Sequence, residues 1–96
     1  MTIARWRGVV LAESGDTIRL EGNHYFPPES VRWECLVDSP RTSVCLWKGH
    51  ARYLSVAVDD EVLADAAWYY PRPWLPARRI ANRVAFGDGV QLDVTP

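Results

Sequence analysis

The feature that most constrains the fold of this chain is that no segment keeps helical periodicity over three turns. Short alternations of apolar and polar residues take its place, and Gly, Asp, Asn and Pro separate them. In Thr17–Glu21, for example, Ile18 and Leu20 share one face, and the polar residues take the other. This pattern predicts an all-β domain of about seven to nine short strands.

Because open sheet edges must be protected, we expect a small, partly open barrel or two packed antiparallel sheets. At most one or two short helical turns are expected. The first candidate is Glu29–Cys35, for which an extended segment that crosses between sheets is the alternative. The second candidate is Arg78–Asn82. Arg7–Glu13 is predicted to be the first strand, and Leu36–Pro40 to be irregular. The 96 residues fit a single domain, 1–96.

The net charge of −1, from eleven basic and twelve acidic residues, argues against a nucleic-acid or membrane-surface binder. The charges are nevertheless uneven. Between Ala66 and Gly87 there is no acidic residue, while this segment contains Arg72, Arg78, Arg79 and Arg83. Such a segment is either a solvated surface or an arginine-rich rim for an anionic group such as phosphate.

The first ten residues contain Arg5 and Arg7 and lack the apolar core of a signal peptide. No apolar run approaches the length of a membrane span. We therefore expect a cytoplasmic protein without membrane partners, a monomer or weak homodimer, in which Cys35 and Cys45 are free thiols.

Lys48 is the only lysine, since the other ten basic residues are all arginine. A compact ammonium on a flexible stem differs chemically from a planar guanidinium, so the choice of lysine here suggests a specific role. Lys48 lies between Trp47 and Gly49. It is expected either to contact a phosphate or carboxylate, or to lie at the surface along the tryptophan ring.

The leading hypothesis from the residues is a pocket for a small anionic or aromatic ligand. Its predicted ligand-binding residues are aromatic side chains around the single lysine: Tyr25, Trp47, Lys48, Trp68 and Tyr70. Aromatic side chains line ligand pockets, and they also dominate the energetics of small cores. Core packing is therefore the alternative for this set.

An enzyme is the second hypothesis, with Cys45 and Lys48 as the candidate catalytic residues. A nearby ammonium favours the thiolate, which is the nucleophilic form of cysteine, and Lys48 could also act as a base. The alternative is that Cys45 is a small buried apolar residue. The chain contains no P-loop, G-x-G-x-x-G, H-E-x-x-H or G-x-S-x-G motif. Whether any reaction is catalysed stays open.

A metal site is not expected, and neither is a cofactor. Four residues could supply ligands: His24, Cys35, Cys45 and His50. The nine residues between the two cysteines do not form the close ligand pair that structural zinc sites show. A third hypothesis is a protein-interaction module, in which Trp74 in the Pro71–Pro76 loop contacts a partner.

Four ordered segments of the chain carry a family resemblance. They are Glu21–Val31, Cys45–Tyr53, Ala66–Pro71 and Val84–Phe86. Together they resemble the bacterial family catalogued as domain of unknown function 427, over nearly the whole chain. Leu46 stands where the family usually has proline, which loosens the turn before Trp47.

The resemblance implies a compact β domain similar to the small complex-β fold of Mss-four-like proteins. It does not imply zinc, since the paired-cysteine knuckles of those proteins are missing here. Labels for the family sometimes suggest a nucleotidyltransferase, yet the resemblance brings no catalytic residues with it. The chain also lacks the paired carboxylates on adjacent strands that hold magnesium in nucleotidyl transfer.

Overall fold

The computed structural model describes residues 1–96 and consists mainly of strands joined by tight turns. The nine strands are β1 (Thr2–Trp6), β2 (Val9–Ser14), β3 (Ile18–Leu20), β4 (Asn23–Tyr25), β5 (Leu36–Cys45), β6 (Gly49–Val58), β7 (Glu61–Tyr69), β8 (Val84–Phe86) and β9 (Gln91–Val94). The all-β class predicted from the alternating pattern is confirmed. No helix is long and apolar enough to cross a membrane.

The strands form three antiparallel sheets with the orders β2-β1-β9, β3-β4 and β5-β6-β7-β8. Each sheet stays open, so no barrel is closed. The first and last strands are neighbours, since Thr2 pairs with Val94. The β3–β4 hairpin is connected to β8 by two backbone hydrogen bonds between Phe26 and Val84, of 2.8 and 3.0 Å.

Two groups of buried apolar side chains hold these sheets together. The larger contains Phe26 and Phe86, whose rings meet edge to face with centroids 5.6 Å apart. The smaller group consists of Tyr25, Ala51, Tyr70, Ala77, Ile80 and Ala85. Edge-to-face contact is a favoured aromatic geometry, and it adds to the stabilisation from burial. The smaller group lies beneath the candidate site described below.

The prediction that the first strand begins at Arg7 and spans Arg7–Glu13 is wrong. The chain already forms a strand at Thr2–Trp6, and a turn at Arg7 and Gly8 leads into Val9–Ser14. Both turn residues have positive φ, 52° and 78°, as the twist of a two-residue hairpin requires. Arginine rarely adopts this conformation, so the sequence pattern did not indicate a turn there.

The segment Leu36–Pro40, expected to be irregular, is part of β5. Its pairing with β6 shifts register between Asp38 and Thr42, so Pro40 falls within the irregularity. Proline cannot donate a ladder hydrogen bond, and a register shift on an edge strand accommodates it. Three 3-10 helices, Pro28–Ser30, Trp33–Cys35 and Leu75–Ile80, occupy or overlap the two stretches where helical turns were expected.

Replacing Gly89 by alanine should destabilise the fold more than the same change at Gly8. Both glycines have positive φ, 93° and 78°, so each substitution carries the backbone cost of about 1 kcal/mol. A Cβ at Gly89 would also lie 2.9 Å from Leu63 Cδ2, whereas one at Gly8 meets nothing within 4 Å. We expect Gly89→Ala to lower the free energy of unfolding in urea by about 1 kcal/mol more. Equal losses would mean that Leu63 moves aside freely.

Candidate functional site

Lys48 occupies the turn between β5 and β6, and its side chain is turned inward. The residue is only 6% exposed. Its ammonium donates a hydrogen bond to Glu21 Oε1, while Trp47 Nε1 donates to Glu21 Oε2 over 3.2 Å. Glu21 lies in the tight turn between β3 and β4, at a φ of 53°. One carboxylate thus joins two hairpins that are distant in sequence.

Two aromatic rings complete the surroundings of the ammonium. Lys48 Nζ lies 5.2 Å from the centroid of the Trp47 ring and 5.7 Å from that of Tyr70. Burial lowers the pKa of Lys48, because it removes water from the charged form. The Glu21 carboxylate and the electron-rich ring faces favour the charged form. The single lysine therefore already has a full set of partners within the chain.

Three other predicted site residues form an aromatic cluster next to Lys48, in which Tyr25 and Tyr70 are buried and Trp68 is partly buried. Trp68 Nε1 donates to the hydroxyl of Tyr25 over 3.2 Å, and Tyr25 and Tyr70 are 1% and 5% exposed. Burial raises the pKa of Tyr25, and it raises the pKa of Tyr70 to about 12. Cys45 is partly buried against this cluster. Both phenols are accordingly neutral over the physiological pH range.

The structure brings the five predicted ligand-binding residues into one packed cluster, but neither concave surface of the molecule is lined by any of them. The two candidate catalytic residues, Cys45 and Lys48, lie on the same hairpin, and no hydrogen bond joins them. The Lys48 ammonium faces Glu21, whereas Cys45 faces the buried tyrosines. A ligand-binding or catalytic role for these residues stays a prediction.

The larger concave surface, here called the first groove, lies on the opposite face of β6. It encloses about 390 Å³ and is lined by His50, Arg52, Tyr69, Pro71 and Arg72. His50 and Arg52 alternate along β6 with the buried Ala51, so both point outward. Arg52 is paired with Tyr69 of β7, which places both side chains side by side.

A second groove of about 270 Å³ continues from the first. It is lined by Pro71, Arg72, Pro73, Arg78 and Ala81, so the two grooves share Pro71 and Arg72. The sequence pattern indicated the arginine-rich segment, but it did not connect that segment with β6. The alternation of His50 and Arg52 along a strand was the available signal, since it predicts that both lie on one face of that strand.

The arginines of both grooves lack acidic partners. The ion pairs of the chain are Arg5–Asp93, Lys48–Glu21 and Arg83–Asp16, none of which involves a groove residue. The guanidinium groups of Arg52, Arg72 and Arg78 also make no hydrogen bond within the protein, and all three residues are exposed. The grooves consequently present several uncompensated positive charges to a ligand.

The segment that carries Arg72 is fixed against the β5–β6 hairpin. The backbone N–H of Trp74 donates to the carbonyl oxygen of Lys48 over 2.9 Å. At Gly49, whose φ is 110°, an added Cβ would lie 3.6 Å from the Arg72 carbonyl oxygen. The rings of His50 and Trp74 meet edge to face, with centroids 6.1 Å apart. A Cβ would therefore only touch this segment, and it is the φ of 110° that favours glycine at position 49.

The two ends of the Pro71–Ala81 loop are also held together. Tyr70 and Ala81 form a parallel bridge, and the backbone N–H of Asn82 donates to the Tyr70 carbonyl oxygen over 3.0 Å. Within the loop, Ala77 and Ile80 are fully buried in the smaller core group. These anchors, together with the fixed φ of its prolines, hold the backbone that carries Arg72 and Arg78.

The four residues considered as metal ligands do not come together. No group of three His, Cys, Asp or Glu side chains has a geometry that could hold a metal ion. Cys35 and Cys45 are free thiols. Nδ1 of His24 lies 3.2 Å from Thr17 Oγ1, while His50 lines the first groove.

Comparison with known proteins identifies the family. A family model described as a domain of unknown function, DUF427, matches residues 2–95. The resemblance seen in the four sequence segments is thereby confirmed. No curated protein matches the chain.

Substituting Glu21 should be more harmful than substituting its partner Lys48. In Glu21→Gln the buried ammonium loses its charged acceptor, and we expect the free energy of unfolding to fall by about 1–3 kcal/mol. In Lys48→Met a flexible apolar chain replaces the lysine between the rings, and Glu21, whose side chain is 47% exposed, is hydrated. The expected loss is then below about 1 kcal/mol.

Urea unfolding of the two single variants and the double variant measures this order. The double variant should lose less stability than the sum of the single losses, since residues in direct contact are coupled. A Glu21→Gln variant as stable as the unsubstituted protein would contradict the assignment of Glu21 as the acceptor for a buried ammonium.

Tyr70 should titrate well above an unfolded tyrosine and make the fold sensitive to alkali. Burial raises its pKa to about 12 in the folded protein, above the ordinary tyrosine value of 10.0, so the unfolded state loses the proton first. The stabilising contribution is therefore fully present below pH 10 and is lost as the pH rises towards 12. Absorbance at about 295 nm, which follows phenolate formation at an ordinary pKa of about 10, measures this in folded and urea-unfolded protein. Identical curves for wild type and Tyr70→Phe, apart from amplitude, would contradict the shift.

Proposed function

The chain belongs to the DUF427 family, whose description names no activity, and we propose on the basis of its grooves that it binds a small anionic ligand. The principal contacts in this proposal are Arg52 and Arg72, with His50 as an additional hydrogen-bonding group. Tyr69 offers an aromatic surface beside them. The sequence analysis expected a small anionic or aromatic ligand, and the proposal moves its contacts from Lys48 to the first groove.

The observation that carries the proposal is the convergence of unpaired guanidinium groups in a concave surface. Arg52 comes from β6 and Arg72 from the loop after Tyr70, yet both line the same groove. Two like charges in one groove repel each other, and an anion between them replaces that repulsion by attraction. Guanidinium groups also bind carboxylate and phosphate through two parallel hydrogen bonds.

In this proposal the predicted cluster of Tyr25, Trp47, Lys48, Trp68 and Tyr70 supports the groove from behind. Lys48 supplies the carbonyl oxygen that binds the Trp74 N–H, and its ammonium holds the hairpin to Glu21. A rigid support reduces the ordering cost that ligand binding would otherwise incur. The lysine thus acts on the groove through the backbone.

The proposal concerns binding and includes no reaction step. The short name of the matching family model, NTP_transf_9, refers to nucleotide transfer. In this chain neither a cluster of metal-ligating side chains nor a contact between Cys45 and Lys48 supports such a reaction. The interaction hypothesis retains an exposed aromatic residue, since Trp74 is 43% exposed.

Titration with inorganic phosphate at millimolar concentrations tests the proposal. Calorimetry or the amide chemical shifts of the protein detect the binding. We expect saturable binding, with amide shifts centred on residues 50–52 and 69–72. Arg52→Gln and Arg72→Gln should each weaken binding by about tenfold or more, the equivalent of one charge-assisted hydrogen bond.

Arg32→Gln is the matched control, because Arg32 is equally exposed but lines neither groove. It alters the net charge by the same amount and should leave the phosphate affinity within about twofold, since its exposed charge lines neither groove and is screened by salt. If all three variants weaken binding equally, phosphate responds only to overall charge. If phosphate does not bind at all, the proposed function fails.

A further inference from the structure

We infer that the ligand contains linked phosphate groups, which extend from the first groove across Arg72 into the second. This inference rests on the proposed function and specifies the class of anion. The linked groups could belong to a free condensed phosphate or to a diphosphate ester, since both present the same chain of phosphates.

The shared wall of the two grooves is the first reason. Arg52 lines only the first groove, Arg78 lines only the second, and Arg72 lines both. The three arginines therefore line two adjoining grooves that share Arg72. A ligand that contacts Arg72 with one anionic group can extend a second group to either side.

The volumes of the grooves favour one extended occupant. Sites for small molecules usually enclose about 300–1,000 Å³. The second groove, of about 270 Å³, is smaller than this range on its own, whereas the first is about 390 Å³. The combined volume of the two grooves falls within this range, and it has room for a ligand longer than a single phosphate.

The number of charges also favours more than one phosphate. A phosphate monoester carries about −1.5 to −2 charges at pH 7, which is too few to neutralise three guanidinium groups. No carboxylate from the chain makes up the difference, because residues 66–87 contain no acid and the acids that form ion pairs lie elsewhere. A chain of two or three phosphates supplies the missing charge.

The backbone around Arg72 is suited to a ligand whose anionic groups lie at a fixed distance from each other. Pro71 and Pro73 flank it on both sides, and each has a restricted φ. The hydrogen bond from Trp74 to Lys48 and the bridge between Tyr70 and Ala81 fix the loop at both ends. A fixed backbone at Arg72 limits the region that its guanidinium can reach, and so lowers the ordering cost of contacting two linked anionic groups.

Comparison of orthophosphate, pyrophosphate and tripolyphosphate in metal-free buffer tests the inference. We expect the dissociation constant to fall by about tenfold or more from orthophosphate to tripolyphosphate, as an additional charge-assisted contact would provide. Arg78→Gln should remove this preference and leave orthophosphate affinity within about twofold, because only the second groove contains Arg78.

Arg79→Gln is the matched control, since Arg79 is adjacent and exposed but lines neither groove. It should keep the preference for tripolyphosphate. Equal affinities for orthophosphate and tripolyphosphate, or equal effects of the two variants, would overturn the inference while leaving the proposed function intact. Absence of binding for every anion would remove both.

Two further ligands test which anionic groups the grooves bind. Citrate carries several carboxylates, and if it binds as tightly as tripolyphosphate the assignment to phosphate is overturned. ADP distinguishes the two sources of linked phosphates. Tighter binding of ADP than of pyrophosphate supports the inference with an ester as the ligand, whereas weaker binding supports it with a free phosphate chain.

Discussion

The Glu21 carboxylate accepts hydrogen bonds from both Lys48 and Trp47, and the arrangement of the candidate site depends on this contact. It joins the β3–β4 turn to the β5–β6 hairpin, two elements that share no strand pairing. Burying an ammonium is costly unless a charged acceptor compensates for the lost water, so neither hairpin can shift independently. A compact lysine head also fits between the Trp47 and Tyr70 rings, where it gains from both ring faces.

The same hairpin positions the cationic surface on the other side of the sheet. The Lys48 carbonyl oxygen accepts the Trp74 N–H, and Gly49 adopts the φ of 110° that this turn requires. Arg72 is thereby placed beside Arg52, although twenty residues separate them in the sequence. Since successive residues of a strand point to opposite faces, β6 directs Ala51 into the aromatic core and His50 and Arg52 into the groove. Near its start, this strand thus supplies a buried residue to the aromatic core and two exposed residues to the groove.

The four-stranded sheet contacts both core groups, and its ladders contain two register shifts. The register between β6 and β7 shifts between Leu54 and Val56, opposite Asp65, whose φ is 54°. Ser55 Oγ accepts the Asp65 backbone N–H over 3.1 Å, and Ser39 donates to the Asp65 carboxylate. These bonds satisfy polar groups that the interrupted ladder leaves free. Leu54 and Val56 then pack in the larger core, while Ala51 packs in the smaller one.

The sequence by itself determined the all-β class and the family, because these follow from local alternation, turn residues and ordered motifs, whereas it left Glu29–Cys35 open between a helical turn and an extended crossing. It also singled out Lys48, the aromatic residues around it and the arginine-rich segment. Only the tertiary structure decided that Lys48 pairs with Glu21, that the aromatic residues pack behind the grooves, and that Arg52 lies next to Arg72. The physical reason is that alternation fixes which residues share a face of one strand, whereas register, buried contacts and loop closure decide which faces of distant segments meet.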